Sequence, residues 1–288
     1  MRSLLFVPGD DARKLEKALG SGADALIIDL EDSVAAARKE AARATAADFL
    51  ARAPAEAPRL YLRINDLDSG LAEADLAAAL APALAGVMLP KCCGGADVVR
   101  LDRLLGPAEA QHGIAQGGLT ILTVATETAA SLFAMGSFAG SSPRLEGISW
   151  GAEDLSADLI AESNRDDEGR FTDPYRLART LTLLGAVAAG ALPIDAVFTD
   201  FRNLEGLRAE ARAARRDGFL AKLAIHPAQV PVINAVFAPD PAALEEARAI
   251  VAAFAERPGA GTIGLNGRMI DRPHLLRARR LLDSAGDG

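Results

Sequence analysis

Several common chemistries are missing from this chain before any fold is considered. Its 288 residues include only two cysteines, Cys92 and Cys93, and these are adjacent. Neighbouring cysteines are poorly placed to bridge to each other and give no spaced set of metal ligands, so a reduced pair is expected. Histidine is equally scarce: His112, His226 and His274 make no HExxH or similar spacing, which argues against a histidine-rich zinc site. No stretch approaches the roughly 18 to 20 uncharged apolar residues of a membrane span. The opening MRSLLFVPGDDARK meets charge too early for a signal peptide, so a cytoplasmic protein without a membrane partner is expected. Positive charge is also short. With 31 Lys and Arg against 39 Asp and Glu, the net charge is −8 and the pI is near 5.1. That balance argues against a nucleic-acid partner, which needs a concentrated basic surface, while leaving room for a local anion pocket. Neither GxGxxG nor GxxxxGK[ST] follows the first apolar run, which disfavours dinucleotide and P-loop sites. There is no internal repeat and no low-complexity linker.

What is present is an alternation. Short apolar runs occur at residues 3–9, 24–32, 59–65, 86–91, 119–127, 145–154, 195–200 and 219–227. Between them lie longer Ala/Leu/Arg/Glu segments such as DARKLEKAL and LEGLRAEARAARRDG, rich in strong helix formers. Eight strands each followed by a helix predict an α/β fold, a (β/α)8 TIM barrel, with a doubly wound open sheet as the alternative. The polar segment 161–175 reads as an extended loop over one barrel face. After the eighth strand come a helix at 241–257, a glycine-rich stretch and a basic helix, HLLRARRLL. The expected division is a barrel over 1–238 and a C-terminal helical extension over 239–288. The extension is too short for a typical independent domain, so it is expected to pack on its own barrel or on a neighbouring subunit.

In such a barrel chemistry gathers where strands end and the following loops begin. Those positions hold Asp29, Glu31 and Asp32 after the second strand, Arg63 and Asn65 after the third, and Lys91 after the fourth. Glu127 ends the fifth, Glu153 and Asp154 the sixth, Asp200 the seventh, and Lys222 with His226 lie on the eighth. Glu127 and Asp154 are about one βα repeat apart, which sets two carboxylates side by side. One of such a pair would bind a proton unless a cation lies between them. Oxygen-only ligands favour Mg²⁺, and two protein carboxylates leave positions open for a bidentate 2-oxo acid. Arg63 would fork onto the free carboxylate of that ligand, so Arg63 and Glu127 both count as substrate contacts. Helix capping is the alternative reading for Glu127 and for Asp154, and on the residues alone it is also the simplest reading of Asp271.

The motifs RSLLFVPG, DLEDSV, LRIN, LPK, VATETA, WGAEDLSADL, IDAVFTDFRNLEGL, KLAIHPAQ and NGRMIDRP occur in this order from Arg2 to about Leu282. They resemble the citrate lyase beta-subunit-like proteins, which include malyl-CoA and citramalyl-CoA lyases. The resemblance implies a Mg²⁺-dependent carbon–carbon lyase that interconverts a 3-hydroxyacyl-CoA with an acyl-CoA and a 2-oxo acid, usually as a homotrimer or hexamer. It implies that Glu127 and Asp154 hold the metal, that Arg63 clamps the oxo acid, and that Asp271, supplied by a neighbouring subunit, is the catalytic acid/base. It further implies that Phe6, Arg13, Lys17 and Lys222 contact the CoA moiety. Three alternatives remain: a malyl-CoA thioesterase, a citrate lyase beta subunit acting on an acyl-carrier thioester, and a metal-dependent aldolase working without CoA.

Overall fold

The computed structural model describes the backbone of residues 1–285 and the side chains of residues 1–282. Residues 286–288 of the expected extension lie outside the described residues. Eight parallel strands close into a barrel in chain order: β1 (Ser3–Pro8), β2 (Ala25–Asp29), β3 (Arg59–Arg63), β4 (Leu84–Cys92), β5 (Thr120–Ala125), β6 (Leu145–Trp150), β7 (Leu192–Asp195) and β8 (Ala221–Ala224). The closing pair is β1 with β8, in the register Ser3 to Lys222 and Leu5 to Ala224. The expected TIM barrel is therefore the observed fold.

Strand side chains alternate between two apolar layers, as a period of two requires. Leu4, Ala25, Ile27, Tyr61, Met88, Leu122, Val124, Ile194, Ala221 and Leu223 fill the barrel interior. Their neighbours in sequence, such as Leu5, Leu26, Ile28, Leu62 and Ile148, face the surrounding helices. The outer layer forms because the helices carry apolar residues at helical spacing. Leu207, Ala211 and Ala214 on helix Leu204–Asp217 are buried while arginines occupy the other face.

The seventh strand lies earlier than the run at 195–200 suggested, ending at Asp195. The residues beyond stay partly buried, but the backbone leaves the ladder, and the Phe198 carbonyl accepts a 2.8 Å hydrogen bond from the Gln229 side chain. The segment expected as a loop over 161–175 gives way at Asp173 to a long helix, Asp173–Ala189, begun by a proline in its first turn.

The described residues divide into two compact units, Met1–Phe237 and a second that starts at Ala238. In the second unit, helices Pro241–Ala255 and Arg272–Ala285 flank a hairpin of β9 (Thr262–Leu265) and β10 (Arg268–Asp271). Its turn is Asn266–Gly267, both at positive φ, the Asn-Gly signal for a tight hairpin that lay unread in the glycine-rich stretch. Ile250, Phe254, Ile263, Ile270, Ala278 and Leu282 form its own small core. Among the described residues no helix is long and apolar enough to cross a membrane.

Candidate active site

The site is built where β2 to β6 end. Asp29 is the last residue of β2 and Arg63 the last of β3, paired in register. The Arg63 Nε and Nη2 groups donate to the two Asp29 oxygens at 2.7 Å each, and its Nη1 lies 3.0 Å from Glu31. Its guanidinium also stacks over Phe6, 4.6 Å from the ring centroid. Asp29 accepts further bonds from the Glu31 and Ser33 N–H groups. Burial pushes the Asp29 carboxyl up, but Arg63 and these donors outweigh it and hold the group below its usual range. The Asp29 fork uses two of the five guanidinium N–H groups, so Arg63 is oriented without being exhausted.

Glu127 follows β5 and is buried. Two unusual backbone positions aim at it: Lys91 and Thr126 both have positive φ, at 49° and 59°. Such conformations cost about 1–3 kcal/mol each for residues other than glycine. The first turns the Lys91 N–H onto Glu127 Oε2, and the second lies immediately before Glu127 in the chain. Gly151, at the end of β6, packs so closely that a Cβ there would lie 2.7 Å from Glu127 Cγ. Only glycine leaves room for the glutamate.

Asp154 lies in the first turn of helix Ala152–Asp158. The three acids of the WGAEDLSAD stretch separate here. Asp154 turns to the site, Glu153 accepts from Asn164 at 2.9 Å, and Asp158 accepts from the Ala129 N–H at 2.7 Å. Neither helix uses the candidate ligands as caps. Thr128 caps Ala129–Leu132 through a capping box with Ser131, and Gly151 is the N-cap of Ala152–Asp158. The Glu127 carboxyl is therefore raised well above its usual range, by burial first and by repulsion from Asp154 second.

Lys91 joins the parts. Its ammonium contacts Glu31, lies 3.3 Å from Asp32 and reaches to 3.8 Å from Asp154. Burial would lower its pKa, but the Glu31 bond and the three acids raise it, so it remains a cation. Glu31 shifts upward because burial outweighs both cations. Glu31, Asp32 and Lys91, at strand ends in the sequence but not among its candidate site residues, belong to the site as well. The signal was present, since DLED and LPK end their strands as VATE ends β5.

Five carboxyls, of Asp29, Glu31, Asp32, Glu127 and Asp154, thus face two cations, Arg63 and Lys91. Among the described residues no group of three or more His, Cys, Asp or Glu converges as a metal cluster. A divalent cation here would take Glu127 and Asp154 and complete its shell with water or ligand oxygens, as a hard cation does. The acid excess and the raised Glu127 fit such an ion.

The other expected contacts are placed unequally. Phe6 lines the mouth beneath Arg63, and Arg13 and Lys17 are exposed one turn apart on helix Ala12–Leu19. Lys222 corrects the expectation that it meets CoA. Alternation along β8 sends Ala221 and Leu223 inward and Lys222 to the outer face, where it is fully buried between Asp195 at 2.8 Å and Glu210 at 3.0 Å. Asn65 is likewise structural, donating to Asp75 and to the Leu30 carbonyl. In the second unit Asp271 ends β10 just before helix Arg272–Ala285, its Oδ1 2.5 Å from His274 Nδ1 and 3.4 Å from the His274 backbone N. The His274 hydrogen bond holds the Asp271 carboxyl below its usual range.

Residues 2–227 match the HpcH/HpaI aldolase/citrate lyase family. The chain belongs to that family. It is 37% identical to a (3S)-malyl-CoA thioesterase of Cereibacter sphaeroides, covering 99% of this chain and 94% of the relative. It is 33% identical to the citrate lyase subunit beta of Leuconostoc mesenteroides, covering 99% and 93%. Its fold matches the crystal structure of CitE from Mycobacterium tuberculosis in complex with magnesium, acetoacetate and coenzyme A, with a TM-score of 0.76 and 34% identity over 99% of this chain and 98% of that one. Members of the family are lyases, and some carry a thioesterase name.

Proposed function

We propose that this family member is a Mg²⁺-dependent carbon–carbon lyase acting on a 3-hydroxyacyl-CoA such as malyl-, citramalyl- or citryl-CoA, releasing an acyl-CoA and a 2-oxo acid. The observation that carries this reading is the pair Glu127 and Asp154, set just beyond the ends of consecutive strands beside a guanidinium that still has N–H groups to give. The CitE structure holding magnesium, acetoacetate and coenzyme A together supports the same combination of ligands.

Glu127 and Asp154 would hold the metal, and Mg²⁺ bound there supplies Lewis-acid polarisation of the oxo-acid carbonyl. Arg63, locked by Asp29, offers its remaining N–H groups to the oxo-acid carboxylate. Lys91 keeps Glu31 and Asp32 neutralised so that their charge does not repel the anionic substrate. Arg13 and Lys17 face the CoA phosphates, with Phe6 beside the thioester. In cleavage, a base takes the β-hydroxyl proton, the carbon–carbon bond breaks, and its electron pair passes into the thioester enolate. Asp271, protonated in its turn by the proton taken from the β-hydroxyl, then returns it to the α-carbon, or removes one in the condensation direction. Its bonds to His274 orient the carboxylate, the form that the second task needs. We place this extension on the site of a neighbouring copy in a cytoplasmic homotrimer or hexamer.

The isolated chain assayed with malyl-, citramalyl- and citryl-CoA and Mg²⁺ tests the proposal, with oxo acid and free thiol followed separately. Oxo acid without thiol is the expected result. Thiol without oxo acid would replace it with the second reading, a malyl-CoA thioesterase, which the 37% identical relative favours. Activity only with an acyl-carrier thioester would point to a citrate lyase beta subunit.

A further inference from the structure

The barrel unit carries a second charged site, far from the first along the strand direction. Helix Leu204–Asp217 follows β7 and returns the chain to the start of β8, so its last turns lie at the N-terminal ends of the strands. The candidate active site occupies the opposite, C-terminal ends. Arg208, Arg212, Arg215 and Arg216 line a cavity of ≈ 490 Å³ whose other wall is Ala235 and Val236 of helix Val230–Phe237. The spacing i, i+4, i+7 and i+8 places all four guanidiniums on one helix face.

Among the described residues three of these four charges have no acid partner. Arg208 meets Glu205 only at 3.5 Å, and that glutamate is largely exposed. Arg215 donates to the Val236 carbonyl at 2.7 Å, a neutral acceptor that fixes the guanidinium at the cavity wall. Among the described residues Arg212 and Arg216 make no ion pair. The remaining acids of the helix are turned away: Glu210 to Lys222 and Arg165, and Asp217 to Arg179. The negative end of the helix dipole amounts to about half a charge, which four arginines far exceed. A chain with net charge −8 that concentrates four guanidiniums around one cavity, three of them without an acid partner among the described residues, has a place for a multiply charged anion.

We propose that this cavity binds a small oligophosphate anion, with the guanidiniums forking onto its oxygens in the bidentate geometry for which arginine is suited. The site is independent of the CoA phosphates, which the proposed function assigns to the other end of the barrel.

Isothermal titration of the full chain with sodium tripolyphosphate, at low salt and without added divalent cation, tests this. Saturable binding is expected, weakened about tenfold or more in R212A/R216A, a loss equivalent to removing charged hydrogen bonds. The R13A/K17A variant, altered at the proposed CoA contacts, is expected to bind as the wild type does. Absence of saturable binding, unchanged binding by R212A/R216A, or loss of binding in R13A/K17A would each overturn the proposal. Because both double variants change only exposed arginines and a lysine, their unliganded melting temperatures should match the wild type and exclude misfolding.

Discussion

Two charged clusters on the same barrel obey opposite rules. Outside β7 and β8, Lys222, Arg179 and Arg165 meet Asp195, Glu210 and Asp217 one for one, and Trp150 adds an indole N–H to Asp195 at 2.9 Å. In the mouth, five carboxyls face two cations, and Glu127 is buried beside Asp154 with its charge uncompensated. A cluster whose charges balance holds structure together, whereas one with a surplus of one sign is built for something that is not part of the chain. Buried polar networks of the first kind are costly to break, and those of the second are costly to keep.

Glu127→Gln should separate the two most sharply. Turnover in Mg²⁺ is expected to fall by about 10²-fold or more, since even residues behind a ligand are worth 10–100-fold in metal sites. Metal-free stability should hold or rise, because a buried repulsion is removed. Steady-state assays and urea denaturation check the two halves, and a variant that still responds to Mg²⁺ like the wild type would end the metal assignment. Asp271→Asn should also reduce turnover by about 10²-fold or more, the usual span of general acid–base catalysis, while binding of the CoA thioester survives in calorimetry.

The reverse pattern is expected of Lys222→Met. Removing one member of a buried ion pair destabilises by about 3–5 kcal/mol, and the lower end applies because Arg179 and Trp150 still serve Asp195. Urea midpoints should drop accordingly while activity per folded molecule stays unchanged. If instead the CoA Michaelis constant rose with stability intact, Lys222 would belong to the ligand after all.

Lys91→Met is a smaller probe, expected to lower turnover about tenfold. The backbone N–H to Glu127 remains in that variant, but Asp32 loses its cation and Glu31 keeps only Arg63.

The pH dependence of metal-free stability should differ in sign between the regions. Asp195 is held below its ordinary carboxylate range: burial pushes it up, but Lys222 and Arg179 prevail. Its contribution is therefore present above the ordinary value and lost as pH falls through the depressed one. Glu127, raised, contributes fully below the ordinary value, and that stability is lost as pH rises through the raised one. Urea midpoints across this range should decline toward both sides in the wild type and lose the alkaline-side decline in Glu127→Gln.

Much of this could be read along the chain. The alternation of β-rich runs and helix formers was enough for the barrel, because strand and helix periods are local properties of the residues. Glu127, Asp154 and Arg63 were found because strand ends in a barrel converge on one face whatever the details of packing. The strand-end position of Lys91 was visible too, but not its three-way bridge, which depends on a left-handed backbone that no residue type announces. Lys222 shows the same limit. On a four-residue strand a shift of one position exchanges inside for outside, and the apolar run around it did not mark the register.

What the sequence by itself determined was therefore the architecture, the face that carries the chemistry, and the surplus of acid there. Those follow from periodicity and composition, which each segment carries alone. Only the tertiary structure decided which charges are answered. That Asp29 locks Arg63, that Lys91 bridges Glu31, Asp32 and Asp154, and that Asp195 and Glu210 consume Lys222 are facts of distance between segments apart in the chain. Electrostatic compensation acts over a few ångströms of space, and it becomes readable only once the barrel has closed.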